Sequence, residues 1–122
     1  MTGRCALVVG CVLVLAVAGA AFEPAAAQSP AYVGTWAVKA AHCRLGQDKQ
    51  NAPLIMRRRG YDQHEAHCRF TSVRQQGAGW RVQASCSVEG DKQKHAFTLS
   101  VAGSRLTLRE DGLRAVAYRR CK

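Results

Sequence analysis

The sequence predicts an all-β fold: a small antiparallel meander of about seven strands, closed into a barrel or folded into a two-layer sandwich, and preceded by a signal-peptide helix. Three observations predict it. From Trp80 to Glu89 the apolar residues Trp80, Val82, Ala84, Cys86 and Val88 alternate without a break against Arg81, Gln83, Ser85, Ser87 and Glu89, which is the period of two of a half-buried strand. Short runs of this kind recur between glycine-bearing turns, and no segment after residue 27 keeps a helical period. Beyond that residue four cysteines remain, Cys43, Cys68, Cys86 and Cys121, an even number that suits a small disulfide-tied domain. Of the two architectures we expect the barrel, because a short meander hides its inner face best by curling on itself.

The chain opens Met1-Thr2-Gly3-Arg4, runs apolar from Cys5 to Phe22 and then reaches Ala25-Ala26-Ala27. A charged start, an apolar stretch and a small-residue cleavage signature are the parts of a secretory signal peptide, so residues 1–27 are read as that peptide. Residues 28–122 are then one domain, placed in the periplasm or secreted. Two other readings of this stretch are a retained membrane anchor, which the nearby cleavage signature disfavours, and lipid attachment at Cys11, which too little preceding apolar sequence disfavours. Arg4 and Glu23 would leave together, so the formal charge of +10 carries over to the domain. Such an excess favours solubility and anionic partners without setting the fold.

Gln28 to Ala31 is a loose, Pro-containing lead-in. Tyr32 to Lys39 is the first strand, with Tyr32, Gly34, Trp36 and Val38 on one side. Ala40 to Asn51 is polar and carries Cys43, a loop or single helical turn tied down by a disulfide. Leu54 to Arg59 is the second strand, beginning after Pro53, where a missing amide donor is tolerated. Gly60 to His64 turns the chain into a third strand, Glu65 to Gln75, with Cys68, Phe70 and Ser72 on one face. Trp80 to Glu89 is the fourth. A fifth, Lys94 to Val101, turns Phe97, Leu99 and Val101 inward, and Ala102-Gly103-Ser104 leads to a sixth from Arg105 to Arg109 carrying Leu106 and Leu108. Asp111-Gly112 is a strong turn dipeptide before the last strand, Leu113 to Cys121.

A hairpin centred on Gly77 sets Cys68 and Cys86 equally far from the turn, hence opposite each other and within disulfide range. Of the three pairings that four cysteines allow, this leaves Cys43 with Cys121. The same register sets Arg74 against Trp80, where a cation–π contact would form.

Gly34-Thr35-Trp36 resembles the Gly-X-Trp signature of lipocalin-like barrels and of the eight-stranded inhibitors of secreted bacterial metalloproteases. That resemblance implies a β-barrel with Gly34 and Trp36 in structural roles, and the alternation that begins at Trp80 gives Trp80 a structural role as well. The four cysteines, together with Glu65-Ala66-His67-Cys68-Arg69-Phe70 and Tyr118-Arg119-Arg120-Cys121, make the chain similar to small exported proteins of Gram-negative bacteria. This second resemblance implies a compartment and supplies no function.

His64-Glu65-Ala66-His67-Cys68 superficially suggests a metal site, but its histidines are three apart where His-Glu-X-X-His needs four. Free thiolates at Cys43 and Cys68 are also unexpected in an oxidising compartment, so neither metal nor cofactor is expected. There is no Gly-X-Ser-X-Gly elbow, phosphate loop or free cysteine nucleophile, and the carboxylates fall mostly at turns. We therefore expect no enzyme. Arg57-Arg58-Arg59 and Arg119-Arg120, followed by Cys121-Lys122, are the dense charge runs. They are candidate contacts for an anionic envelope component, such as lipid phosphates, or for an acidic protein; their plain alternative is a pair of solvated edge strands. Nucleic acid is not expected, because aromatic residues are not interleaved with the basic runs. The expectation is a monomeric binding protein with no membrane anchor after cleavage. A lipocalin-like carrier of a small apolar ligand, or an inhibitor-like module inserting Gln28 to Tyr32 into a protease cleft, are the other readings.

Overall fold

A computed structural model describes residues 28–122 together with Gly19 and Ala20; the signal-peptide assignment at 1–27 lies almost wholly outside the described residues. Eight antiparallel strands form a closed barrel in simple up-and-down order. They are β1 (Gly34–Ala37), β2 (Leu54–Arg57), β3 (Gly60–Gln63), β4 (Ala66–Gln76), β5 (Gly79–Val88), β6 (Asp91–Ala102), β7 (Arg105–Glu110) and β8 (Val116–Arg120), and the only helix among the described residues is a 3-10 turn at Ala40–Arg44.

The extra strand is β3, in the segment expected to be a turn. Gly60, Tyr61 and Asp62 pair on both sides, Tyr61 with Met56 and with Cys68, and Gln63 pairs with Ala66. Two-residue connections flank it, Arg58-Arg59 and His64-Glu65, and its glycine has a steric reason. A Cβ on Gly60 would lie 2.5 Å from the Cys68 carbonyl oxygen. The eighth strand also satisfies closure: the first and last strands of an up-and-down meander run antiparallel only when their number is even. Seven strands would have met in parallel.

The hairpins are tight. Between β5 and β6, Glu89 and Gly90 both take positive φ, 50° and 86°, the backbone of a two-residue turn whose twist matches the strands it joins. In the long β4–β5 hairpin, Cys68 pairs with Cys86 as the glycine-centred register requires, but the register slips between Phe70 and Ser72. Thr71 is a bulge residue, and its hydroxyl donates to the Gln83 carbonyl at 3.2 Å. Beyond the bulge every side chain changes face. Val73, expected outside, packs against the core beside Val82, and Arg74 lies opposite Arg81 rather than Trp80. The Arg74–Trp80 cation–π expectation is thereby corrected: Trp80 instead meets Tyr32 edge to face, ring centroids 5.0 Å apart.

The interior is filled by Tyr32, Trp36, Leu54, Met56, Phe70, Val82, Phe97, Leu99 and Leu106, each at most 2% exposed. Phe70 and Phe97 meet edge to face at 5.7 Å. Val38, expected inside, is 51% exposed, because β1 ends at Ala37 and the chain turns away into the 3-10 helix. The lead-in is fastened rather than loose from Ala31 onward: Tyr32 is buried and its hydroxyl donates to the Arg58 carbonyl at 2.7 Å. Two disulfides complete the fold. Cys68–Cys86 staples the central hairpin, with its α-carbons 4.0 Å apart, and Cys43–Cys121 ties the 3-10 turn to the end of β8, with its α-carbons 5.6 Å apart.

A candidate anion-binding face

In an up-and-down barrel alternate connections fall at the same end. The β2–β3, β4–β5 and β6–β7 turns share one rim with the lead-in before β1 and the residues after β8. Counting strands decides what the two arginine runs can do. Arg58 and Arg59 form the β2–β3 turn and Arg119 and Arg120 end β8, so with eight strands both runs reach the same rim. Seven strands would have left them at opposite ends.

Charge follows this division. The carboxylates of residues 28–122 are Asp48, Asp62, Glu65, Glu89, Asp91, Glu110 and Asp111, and all lie in the connections of the opposite rim or within two residues of them. Lys39, Arg44, Lys49, Lys92 and Arg114 lie in or beside the same connections and offset part of their charge. At the arginine rim Arg58, Arg59, Arg74, Arg105, Arg119, Arg120 and Lys122 gather without a carboxylate, whereas Arg57 and Arg81, further into the wall, are paired with Asp62 and Asp111.

The five arginines singled out from sequence play three different parts. Arg57 forms an ion pair with Asp62, which His67 also contacts through Nδ1 at 2.8 Å. Burial pushes the Asp62 carboxyl up, but its hydrogen bonds with His67 and Arg57 outweigh this and hold it below its ordinary value. Arg120 is committed to the fold. Its guanidinium lies 4.2 Å from the centre of the Trp36 ring and donates to the carbonyls of Val33 and Ala31 at 3.2 and 2.8 Å. Gly34 makes room for it: a Cβ there would sit 2.7 Å from Arg120 Nη1, and its φ of 149° is one that side chains disfavour. The Gly34-Thr35-Trp36 motif thus serves as the seat of an arginine from the far end of the chain. Arg58, Arg59 and Arg119 have no carboxylate partner among the described residues, and neither do Arg74 and Arg105 on the same rim.

Arg105 is the residue that sequence reading passed over. It stands directly opposite Arg119 across the β7–β8 pair, so both exposed side chains leave the sheet on one face. They border an open groove of about 410 Å³, lined also by Val38, Ala117, Tyr118, Arg120 and Lys122. The groove lies at the barrel's seam, where β1 and β8 pair only at Trp36 with Arg120 and at Ala37 with Arg119. No Asp or Glu lines it. Arg81 shows the contrast, since it pairs with Asp111 through two bonds of 2.6 and 2.5 Å.

No group of three or more potential metal ligands occurs among the described residues, and no helix there is long and apolar enough to cross a membrane. Comparison with protein-family models, with curated proteins and with solved structures found no match.

Proposed function

We propose that this chain is an exported, non-enzymatic β-barrel that binds an anionic component of the cell envelope through its arginine-rich half. One observation carries the reading: in a rigid, disulfide-tied barrel the seven carboxylates of residues 28–122 lie toward one rim, while a cluster of arginines without a carboxylate among them occupies the other. Charges scattered for solubility alone have no reason to segregate along the axis, whereas a one-sided field orients and concentrates an anionic partner. The aromatic and aliphatic packing of the barrel interior supports surface binding over a carrier, which needs a chamber where Trp36, Phe70, Met56 and Phe97 stand. Burial of Tyr32 and the hydrogen bond to the Ala31 carbonyl disfavour the inhibitor-like reading, in which these residues leave the domain for a protease cleft. The two disulfides fit an oxidising location, periplasmic or extracellular.

Co-sedimentation with vesicles tests the proposal. Binding to phosphatidylglycerol-containing vesicles, absent with phosphatidylcholine alone, is expected at low ionic strength. It should weaken steeply as the screening length shortens from about 30 Å at 0.01 M to about 8 Å at 0.15 M salt. Absence of binding at low salt, with an acidic protein captured instead, would refute the envelope assignment.

A further inference from the structure

We infer that the groove at the β1–β8 seam holds the phosphate headgroup of an anionic lipid, with Arg105, Arg119 and Lys122 as its ligands and Val38 and Ala117 against its apolar body. The inference deepens the proposed function and rests on it. Like charges set directly opposite each other across an antiparallel pair destabilise the sheet, and Arg105 and Arg119 are so placed with no carboxylate between them. Two adjacent guanidinium groups offer planar, forked donors matched to the oxygens of one phosphate, which would relieve their repulsion. Lys122, two residues beyond the strand, adds a third charge at the groove's edge. Committed side chains do not compete, because Arg120 below them is held by Trp36 and two carbonyls.

The choice of a lipid over a bare ion comes from the other wall. Val38 is 51% exposed in this groove and Ala117 is exposed beside it. Val38 could have stayed covered had β1 continued along β8; instead the seam opens there and leaves an apolar strip beside the cations. An amphiphile with a phosphate at one end satisfies both walls, and inorganic phosphate satisfies one.

The test uses the disulfide-bonded protein and calorimetric titration with dihexanoyl phosphatidic acid, a lipid that stays monomeric. Inorganic phosphate and dihexanoyl phosphatidylcholine serve as comparison ligands. Phosphatidic acid should bind more tightly than either, and the double variant R105Q/R119Q should lose at least about tenfold in affinity, as expected for hydrogen bonds to a charged group. R58Q/R74Q removes the same charge from the same rim away from the groove and should stay within about twofold, the share owed to the general field. K122Q, outside the sheet, should weaken binding even if the arginine variant folds poorly. Equal losses in the two double variants would overturn the groove assignment while vesicle binding kept the proposed function standing. Phosphate binding as tight as phosphatidic acid would overturn the lipid. Titration that succeeds while vesicles fail to bind would uphold the groove and refute the surface reading.

Discussion

Arg120 joins three parts of the chain through one side chain: the indole of Trp36 in β1, the lead-in carbonyls of Ala31 and Val33, and the end of β8 that carries it. Gly34 and Arg120 should therefore be energetically coupled. G34A forces a Cβ against the guanidinium and strains a φ of 149°, and is expected to cost about 1–3 kcal/mol in urea unfolding. R120A should cost a comparable amount through lost cation–π contact and freed carbonyls. In the double variant the steric part disappears, so the cycle should close with a coupling of about 1 kcal/mol; strict additivity would mean that the two residues do not share this seat. Tyr61 gives a second residue-scale expectation. Burial, followed by the nearby Glu110 and Tyr118, pushes its phenol from 10.0 up to about 12. At pH between these values the unfolded chain releases the proton and the folded one keeps it, so unfolding gains free energy as pH rises through this window. Urea midpoints should fall from pH 10 to pH 12 and fall less in Y61F.

The β4–β5 hairpin carries one residue that pairs with nothing, Thr71. Cys68 faces Cys86 on one side of this bulge and Val73 faces Val82 on the other. Deleting Thr71 joins Phe70 to Ser72, and Cys68–Cys86, Phe70–Ala84, Ser72–Gln83 and Val73–Val82 then follow in one unbroken register that keeps both the disulfide and the core face. We therefore expect both ΔThr71 and T71A to keep the two disulfides and to cost less than about 1 kcal/mol in urea unfolding; free thiols detected by alkylation and mass spectrometry, with a loss near the roughly 3 kcal/mol of a forfeited bridge, would show that the hairpin needs the bulge. This element also marks how far the sequence could be read. Alternation from Trp80 to Glu89 and the glycine-centred turn made the hairpin and the Cys68–Cys86 opposition legible, because both are local. The bulge was not, since Phe70-Thr71-Ser72 carries no glycine or proline to mark it. β3 was hidden for a related reason: Gly60-Tyr61-Asp62-Gln63 reads as a turn, and only pairing on both sides makes it a strand. That one strand changed the parity of the meander. The arginine runs were visible as charge, but their meeting at one rim, the partnership of Arg105 with Arg119 and the seating of Arg120 on Trp36 depend on strand count and barrel closure, which composition does not encode.

At the scale of the whole molecule the barrel closes at its weakest seam under the load of its own charge. β1 and β8 share a two-residue register, and the Cys121 amide donates to Thr35 at 2.8 Å just before the Cys43 bridge. In the chain-entropy account a loop closed over a separation of 78 residues stabilises by about 4.5 kcal/mol. C43S/C121S should therefore speed amide hydrogen exchange in β1 and β8 well before the β4–β5–β6 wall, and uniform acceleration would show that the bridge does not act on the seam. The cations bordering that seam push against closure, because Arg105 and Arg119 face each other and Lys122 borders the same groove without a carboxylate. Their mutual repulsion is screened by salt, so the melting temperature should rise as ionic strength increases from about 0.01 to about 0.15 M, opposite to a fold held by surface ion pairs. R105Q/R119Q should gain a few tenths of a kcal/mol at low salt and lose most of the salt dependence. Phosphate should raise the melting temperature of the unsubstituted protein more than chloride does at equal ionic strength, since an anion bound in the groove stabilises the folded state by mass action as well as by screening. If the two anions prove equivalent, the arginine pair is a cost of solubility rather than a binding device. If phosphate exceeds chloride only while Arg105 and Arg119 are both present, the strain at the seam is what the ligand relieves.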